Sequence, residues 1–221
     1  MWEDCDKQFY EYNKQQNLGQ ISNDDFSRDI EQIASRSEFK TFLEIGTWNG
    51  RGSTRAFSNG FSQRASNASY VFYSLECNSD KCADAAKLYE DNPNMHILNE
   101  VIWNEEPSDF YDIFPQVREN AMFKHWNEVD IINMKKCNVF LNRPELPAVF
   151  DVLLLDGGEF TTYYEFQLLK NRCRLLLLDD TNTDKCKLIV NEIKSQPQTW
   201  KIMREMDIRN GYLIAERLDF V

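Results

Sequence analysis

Histidine is almost missing from this chain: its 221 residues contain two, His96 and His125. The six cysteines, at 5, 77, 82, 137, 173 and 186, include no pair with C-x-x-C spacing, so a structural zinc site is not expected. Scattered through segments that read as strands and helices, they are expected to be reduced thiols of a reducing compartment rather than a disulfide framework. Positive charge is short as well. Lys and Arg total 25 against 36 Asp and Glu, a formal net charge of -11 that repels phosphate backbones and anionic bilayers. No nucleic-acid or membrane partner is therefore expected. Pure aliphatic runs stop at four residues, as in Leu175 to Leu178, far below the ~20 apolar residues of a membrane span. The acidic start, Met1-Trp2-Glu3-Asp4-Cys5-Asp6, has neither the basic nor the apolar region of a secretory signal. These absences predict a soluble, cytoplasmic protein, which could equally be one domain of a larger polypeptide.

What is present suits one sizeable core, because 42% hydrophobic residues and 28% charged residues are globular values. Residues 1–37 read as a polar N-terminal helical cap, with Ser22 or Asn23 capping a helix whose Phe26, Ile30 and Ile33 recur at helical spacing. From 38 to 221 apolar strands alternate with helices. The strands are Thr41 to Ile45, Tyr70 to Leu75, Met95 to Leu98, Phe150 to Leu155 and Leu175 to Leu178. Helices are expected from Ser53, over 80–90, near 115–136, and over 161–172 and 184–195. Two last strands, Lys201 to Met206 and Tyr212 to Arg217, flank Arg209-Asn210-Gly211, whose Asn-Gly predicts an antiparallel hairpin with a tight turn. The alternation predicts an α/β fold with a largely parallel, doubly wound sheet whose ligands bind beyond the carboxyl ends of the strands. The irregular stretch 103–147 is the expected acceptor lid.

Glycine is scarce, eight residues in all, yet three fall in Gly46-Thr47-Trp48-Asn49-Gly50-Arg51-Gly52 between the first strand and its helix. Glycine lets backbone approach a ligand closely. Ser53 follows Gly52 with no lysine, so this is no ATP-binding P-loop. The G-x-x-x-G-x-G spacing also occurs in short-chain dehydrogenases. Their Tyr-x-x-x-Lys pair is found here only at Tyr10 and Lys14, upstream of the loop and in the wrong place.

Phe42-Leu43-Glu44-Ile45-Gly46-Thr47-Trp48-Asn49-Gly50-Arg51-Gly52-Ser53, with Glu76 closing the second strand, resembles the class I S-adenosylmethionine-dependent methyltransferases over about residues 38–218. The terminal hairpin is a further mark of that family, whose fold is a Rossmann-like seven-stranded sheet. The resemblance implies S-adenosylmethionine as cofactor. Gly46, Thr47, Trp48, Gly50, Gly52 and Ser53 would run under its methionine part, Glu44 and Gly46 would border its amino-acid group, and Glu76 would accept hydrogen bonds from both ribose hydroxyls. Asp156 would also border the cofactor.

Asp156 follows one buried strand, and Asp179 and Asp180 follow the next. Three uncompensated carboxylates at neighbouring strand ends repel one another, and an oxygen-seeking ion, Mg2+ or Mn2+, would relieve this. The alternative is that Asp156 and Asp180 merely cap the following helices. Asp156-Gly157-Gly158-Glu159-Phe160-Thr161-Thr162 and Leu178-Asp179-Asp180-Thr181 are similar to the metal-binding segments of macrocin-type sugar O-methyltransferases, although Gly158 stands for an acid and Thr181 for a tyrosine. Catechol-type O-methyltransferases bind magnesium at corresponding strand ends, which would here use Asp156, Asp180 and Asn182.

The expected activity is therefore methyl transfer to a hydroxyl of a sugar or glycan with metal assistance, a catechol-like acceptor being the alternative. A non-catalytic cofactor-binding subunit is the reading from another class. Removing the hydroxyl proton needs a base. Glu159, three residues beyond Asp156, is preferred, with His125 and Asp156 behind it. Trp103, Trp126, Tyr163 and Tyr164 are candidate stacking surfaces for the acceptor. The strand-end segment Asp-Gly-Gly-Glu differs from the Asn/Asp-Pro-Pro-Tyr of nucleic-acid amino-methyltransferases.

Overall fold

The computed structural model describes residues 18–65 and 68–219; Cys5, Tyr10, Lys14 and the rest of residues 1–17 lie outside them. Helix α1 (Asp25–Ser35) precedes β1 (Thr41–Ile45), α2 (Ser53–Ser62), β2 (Val71–Leu75), α3 (Ser79–Leu88), β3 (Met95–Leu98) and β4 (Glu100–Val101). Three helices follow: α4 (Phe110–Ile113), α5 (Gln116–Glu119) and α6 (Ala121–Met134). Then come β5 (Asn138–Val139), β6 (Phe150–Leu155), α7 (Thr162–Leu169), β7 (Cys173–Asp179), α8 (Asp184–Ser195), β8 (Trp200–Met206) and β9 (Tyr212–Arg217).

The main sheet has seven strands in the order β3-β2-β1-β6-β7-β9-β8. The first five are parallel, and β9 runs antiparallel to both β7 and β8. The apolar runs in β6 and β7 are continuous because both faces of the sheet are covered. Leu153, Leu155, Leu176 and Leu178 pack on one side with Phe166 and Leu169 of α7 and Ile189 and Ile193 of α8. Val152, Leu154, Leu175 and Leu177 pack on the other with Phe26 and Ile30 of α1 and Phe57 and Phe61 of α2. Helix α1 thus shares the core of the sheet.

The cap of α1 is Asp24, not Ser22 or Asn23. Its carboxylate accepts from the Ser27 amide at 2.7 Å while the Ser27 hydroxyl accepts from the Asp24 amide at 3.0 Å. The expected single helix near 115–136 is broken into α5 and α6, because Asn120 is extended and starts the second helix by accepting from the amides of Met122 and Phe123. Phe110, Phe114 and Val117 of the lid segment form a small core with Phe160 from the β6–α7 connection. The segment's β5 pairs with β4, just before the segment, in a two-stranded parallel sheet too short to show in the sequence pattern. The β8–β9 connection spans 207–211, longer than the tight Asn-Gly turn expected, with Arg209 at φ 55 and Gly211 at φ 81.

Register places the site. Ile45 pairs with Leu75 and with Leu155, and Leu155 pairs with Leu178. The next residues, Gly46, Glu76, Asp156 and Asp179, therefore emerge at one edge of the sheet, where the chain reverses direction across it.

Candidate active site

A cleft of about 720 Å³ opens at that edge. Its floor is the glycine loop. Gly46 (φ 98) lies so close to β6 that a Cβ there would sit 2.1 Å from the Asp156 carbonyl oxygen. The amides of Gly46 and Thr47 both donate to the Leu75 carbonyl. Trp48 is left-handed (φ 51) although it is not glycine, and this turn aims its amide at Glu76 Oε2, 2.7 Å away. The Asn78 amide donates to Glu76 Oε1 at 2.8 Å. Glu76 is thus a buried carboxylate, fixed by two backbone amides, with each oxygen keeping lone-pair capacity toward the cleft. The Trp48 ring is exposed and stacks against the Lys81 ammonium, 4.4 Å from its centroid.

Thr47, Trp48, Gly52 and Ser53 line the cleft together with Gly46 and Glu76. Two expected residues do not. Glu44 is fully buried beneath the loop, where its carboxylate accepts from Thr54 Oγ1 at 2.7 Å and from the Ser74 hydroxyl; it braces the loop instead of bordering a ligand. Gly50 (φ 71) turns toward α3, with Ala85 and Tyr89 packed against it. The loop is closed from above by Leu18, Gly19, Gln20 and Ile21, and the Gly19 amide donates to the Arg51 carbonyl.

The far wall carries the acids. Asp156 and Asp180 line the cleft, and an oxygen of each, with one of Asp179, lies within 4.8 Å of the others. They cap neither helix: the N-cap of α7 is Thr161 and that of α8 is Thr183, and Asp180 itself is left-handed (φ 57). Nor are they uncompensated. Lys185 Nζ lies 2.5 Å from Asp156 Oδ1 and 3.0 Å from Asp180 Oδ2. Arg209 binds Asp179 through both terminal nitrogens at 2.9 and 3.1 Å. Asn210 donates to the other Asp180 oxygen at 3.0 Å. The expected metal site therefore lacks the repulsion that argued for it: each carboxylate already has a cation, and Asp179 faces Arg209, not the cleft. The donor set as folded does not fit a divalent ion.

Burial opposes the charge on Asp180, but Lys185 and the hydrogen bonds to it outweigh this and hold its carboxyl below the usual range. Burial likewise opposes the charge of Lys185, yet Asp156 and Asp180 keep it a cation. Asp156 is the opposite case: burial, with Asp179 and Asp180 adding, pushes it up against the pull of Lys185.

Of the three candidate bases, only Asp156 faces the cleft. Glu159 sits off its wall, near the start of α8, and burial raises its carboxyl. His125 is exposed on α6, as is Trp126. Trp103, Tyr163 and Tyr164 pack into the interior beside the lid, with Trp103 and Tyr164 edge to face. Two acids that the sequence reading passed over do face the cleft. Asp130 on α6 is raised to about 6 by burial, and Glu165 on α7 to about 8. Glu165 Oε2 has no hydrogen-bond partner, and a Cβ on Gly157 would lie 2.5 Å from it. A sequence signal did exist for Glu165 and Lys185. Each occupies the apolar stripe of its helix, Glu165 beside Phe166 and Leu169, Lys185 in line with Ile189 and Ile193.

The acidic walls fit a cofactor carrying a sulfonium and an ammonium, and oppose a dinucleotide pyrophosphate. The sheet order with its terminal antiparallel pair is the class I methyltransferase fold. No protein-family model and no curated protein sequence matches the chain. Solved structures do. An O-methyltransferase from Bacillus cereus in complex with S-adenosylhomocysteine superposes with a TM-score of 0.56 at 13% identity, over 99% of this chain and 92% of that one. The O-methyltransferase TomG of Streptomyces achromogenes, involved in tomaymycin synthesis and bound to S-adenosylmethionine, gives 0.55 at 12% identity over 98% and 91%. A methyltransferase from Geobacter sulfurreducens gives 0.52 at 12% identity over 99% and 92%.

Proposed function

We propose that this chain is an S-adenosylmethionine-dependent O-methyltransferase acting on a hydroxyl of a small acceptor, a sugar or a catechol-like molecule. The observation that carries this reading is Glu76. It is a buried strand-end carboxylate fixed by the amides of Trp48 and Asn78, facing a glycine loop that has no phosphate-binding lysine. A vicinal ribose diol is the natural partner of such a carboxylate. Bound there, S-adenosylmethionine supplies a methyl group made electrophilic by its sulfonium.

The chain's own residues do the rest. Glu76 and the loop would hold the cofactor and the acidic wall would receive the acceptor, the positioning that an in-line displacement needs. Asp156 is the base on this reading. One of its oxygens is held by Lys185, the other is left to accept the hydroxyl proton, and its raised affinity for protons makes it a better base than an exposed carboxylate. A divalent ion on Asp156, Asp179 and Asp180 is no part of this mechanism, since Lys185 and Arg209 already neutralise them.

Mass-spectrometric screening of sugar and catechol acceptors with S-adenosylmethionine tests the activity. A product heavier by one methylene, absent in Asp156→Asn, is the expected result. S-adenosylhomocysteine binding with no product from either acceptor class would favour the non-catalytic subunit. Binding of NAD in its place would overturn the reading.

A further inference from the structure

Lys185 belongs to no expected role, yet it is a deeply enclosed cation of the cleft, its side chain 5% exposed. Its stem lies on the apolar stripe of α8, and the ammonium emerges between Asp156 and Asp180, the only two of the three convergent acids that reach the cleft. An ion bridging the same two oxygens at the ~2.1 Å of a magnesium bond would touch the ammonium. The third acid is held face-on by Arg209, itself anchored by its remaining nitrogen 2.7 Å from Asp24 Oδ2, so the acid cannot turn to complete a coordination sphere without breaking two ionic hydrogen bonds. Asn210 holds the second oxygen of Asp180. Two of the three Lys185 N–H donors are used by the acids; the third remains for an oxygen entering the cleft.

We propose that Lys185 is the resident cation of this site: its ammonium stands where a divalent ion would have to sit between Asp156 and Asp180, so the protein holds no metal there and binds its ligands without one. The substituted position concerns the same cleft as the proposed methyl transfer, but its test reads metal uptake and not turnover. In the cleft, Lys185 is then the positive partner available to a substrate oxygen, in the role that a metal would otherwise fill.

Electron paramagnetic resonance of Mn2+ titrated into the full chain tests this. The wild type should show no uptake that depends on Asp156, meaning that its titration matches that of Asp156→Asn. Lys185→Gln, which leaves the two carboxylates without their cation, should bind Mn2+ at least about tenfold more tightly than the wild type. Adding Asp156→Asn to it should abolish the gain. Wild-type uptake that Asp156→Asn removes would overturn the proposal, as would a folded Lys185→Gln that gains none. If circular dichroism shows that Lys185→Gln does not fold, the wild-type comparison decides alone. Calorimetry with S-adenosylhomocysteine, with and without EDTA, separates the two readings. Equal affinity is expected. Absence of binding in both would overturn the methyltransferase reading and leave the Mn2+ result standing.

Discussion

Glu165 joins burial to an oxygen that no donor reaches, and burial raises its carboxyl to about 8 against the pull of Lys185. An unfolded glutamate titrates near 4.3, so between about 4.3 and 8 the folded chain binds the extra proton, and stability falls as pH rises through that window. Glu165→Gln should therefore melt close to wild type at pH 5. At pH 8 it should be more stable, by on the order of 2–4 kcal/mol, readable as a Tm difference that grows with pH. An equal effect at both pH values would show that the carboxyl finds a donor. Glu76 has the opposite surroundings, two amides and an open side. Glu76→Ala should weaken S-adenosylhomocysteine by roughly tenfold to a hundredfold, the worth of a hydrogen bond to a charged group, measured by calorimetry.

Helix α1 is tied to the site by one residue. Asp24 uses one oxygen to cap the helix and the other to receive Arg209, which in turn holds Asp179 at the end of β7. Asp24→Ala should lower unfolding free energy in urea by about 1–2 kcal/mol for the cap alone, and further for the lost ion pair. Asp24→Asn keeps the cap and should fall between the two. A wild-type stability in Asp24→Asn would mean that the pair with Arg209 contributes nothing, and equal losses in the two variants that the cap contributes nothing. The Arg209 connection also explains the hairpin. Asn210-Gly211 alone reads as a two-residue turn, but Thr181 donates to the Gly211 carbonyl and Asn182 to that of Asn210, so the loop lengthens to dock on the β7 end.

Across the whole molecule the cleft is shared by the loop, the acid wall and the segment Leu18 to Ile21. A ligand at a hundred times its Kd adds about 2.7 kcal/mol, and for a chain of this size that is roughly 5–10 °C in Tm. S-adenosylhomocysteine should produce such a shift and slow amide exchange in residues 18–22, while NAD should produce neither. A shift without protection there would mean that the segment does not cover the ligand. Among the described residues no helix is long and apolar enough to cross a membrane, and the five described cysteines are free thiols. Burial pushes the thiols up, Cys82 to about 11 and Cys173 to about 12.

Strand positions and strand ends were legible in the sequence because they follow from local pattern; the order of the strands in the sheet does not. Short, mostly apolar stretches, a glycine loop and an Asn-Gly near the end suffice to locate β1, β6 and β9 and to place Glu76 and Asp156 at strand ends. Direction and company of side chains were not legible, because they depend on how helices distant in sequence approach that edge. Glu44 and Glu76 both stand at or beside strand ends; only packing turns the first onto Thr54 and the second into the cleft. Glu159 and His125 have the right chemistry for a base, but the loop after β6 and the outer face of α6 carry them away from it. Above all, three convergent aspartates read as a metal site until α8 and the β8–β9 connection deliver Lys185 and Arg209 to them. Lys185 comes 29 residues after Asp156 and Arg209 30 after Asp179, and although Asp180 is only five residues from Lys185, no periodicity records that one ammonium joins the two strand ends.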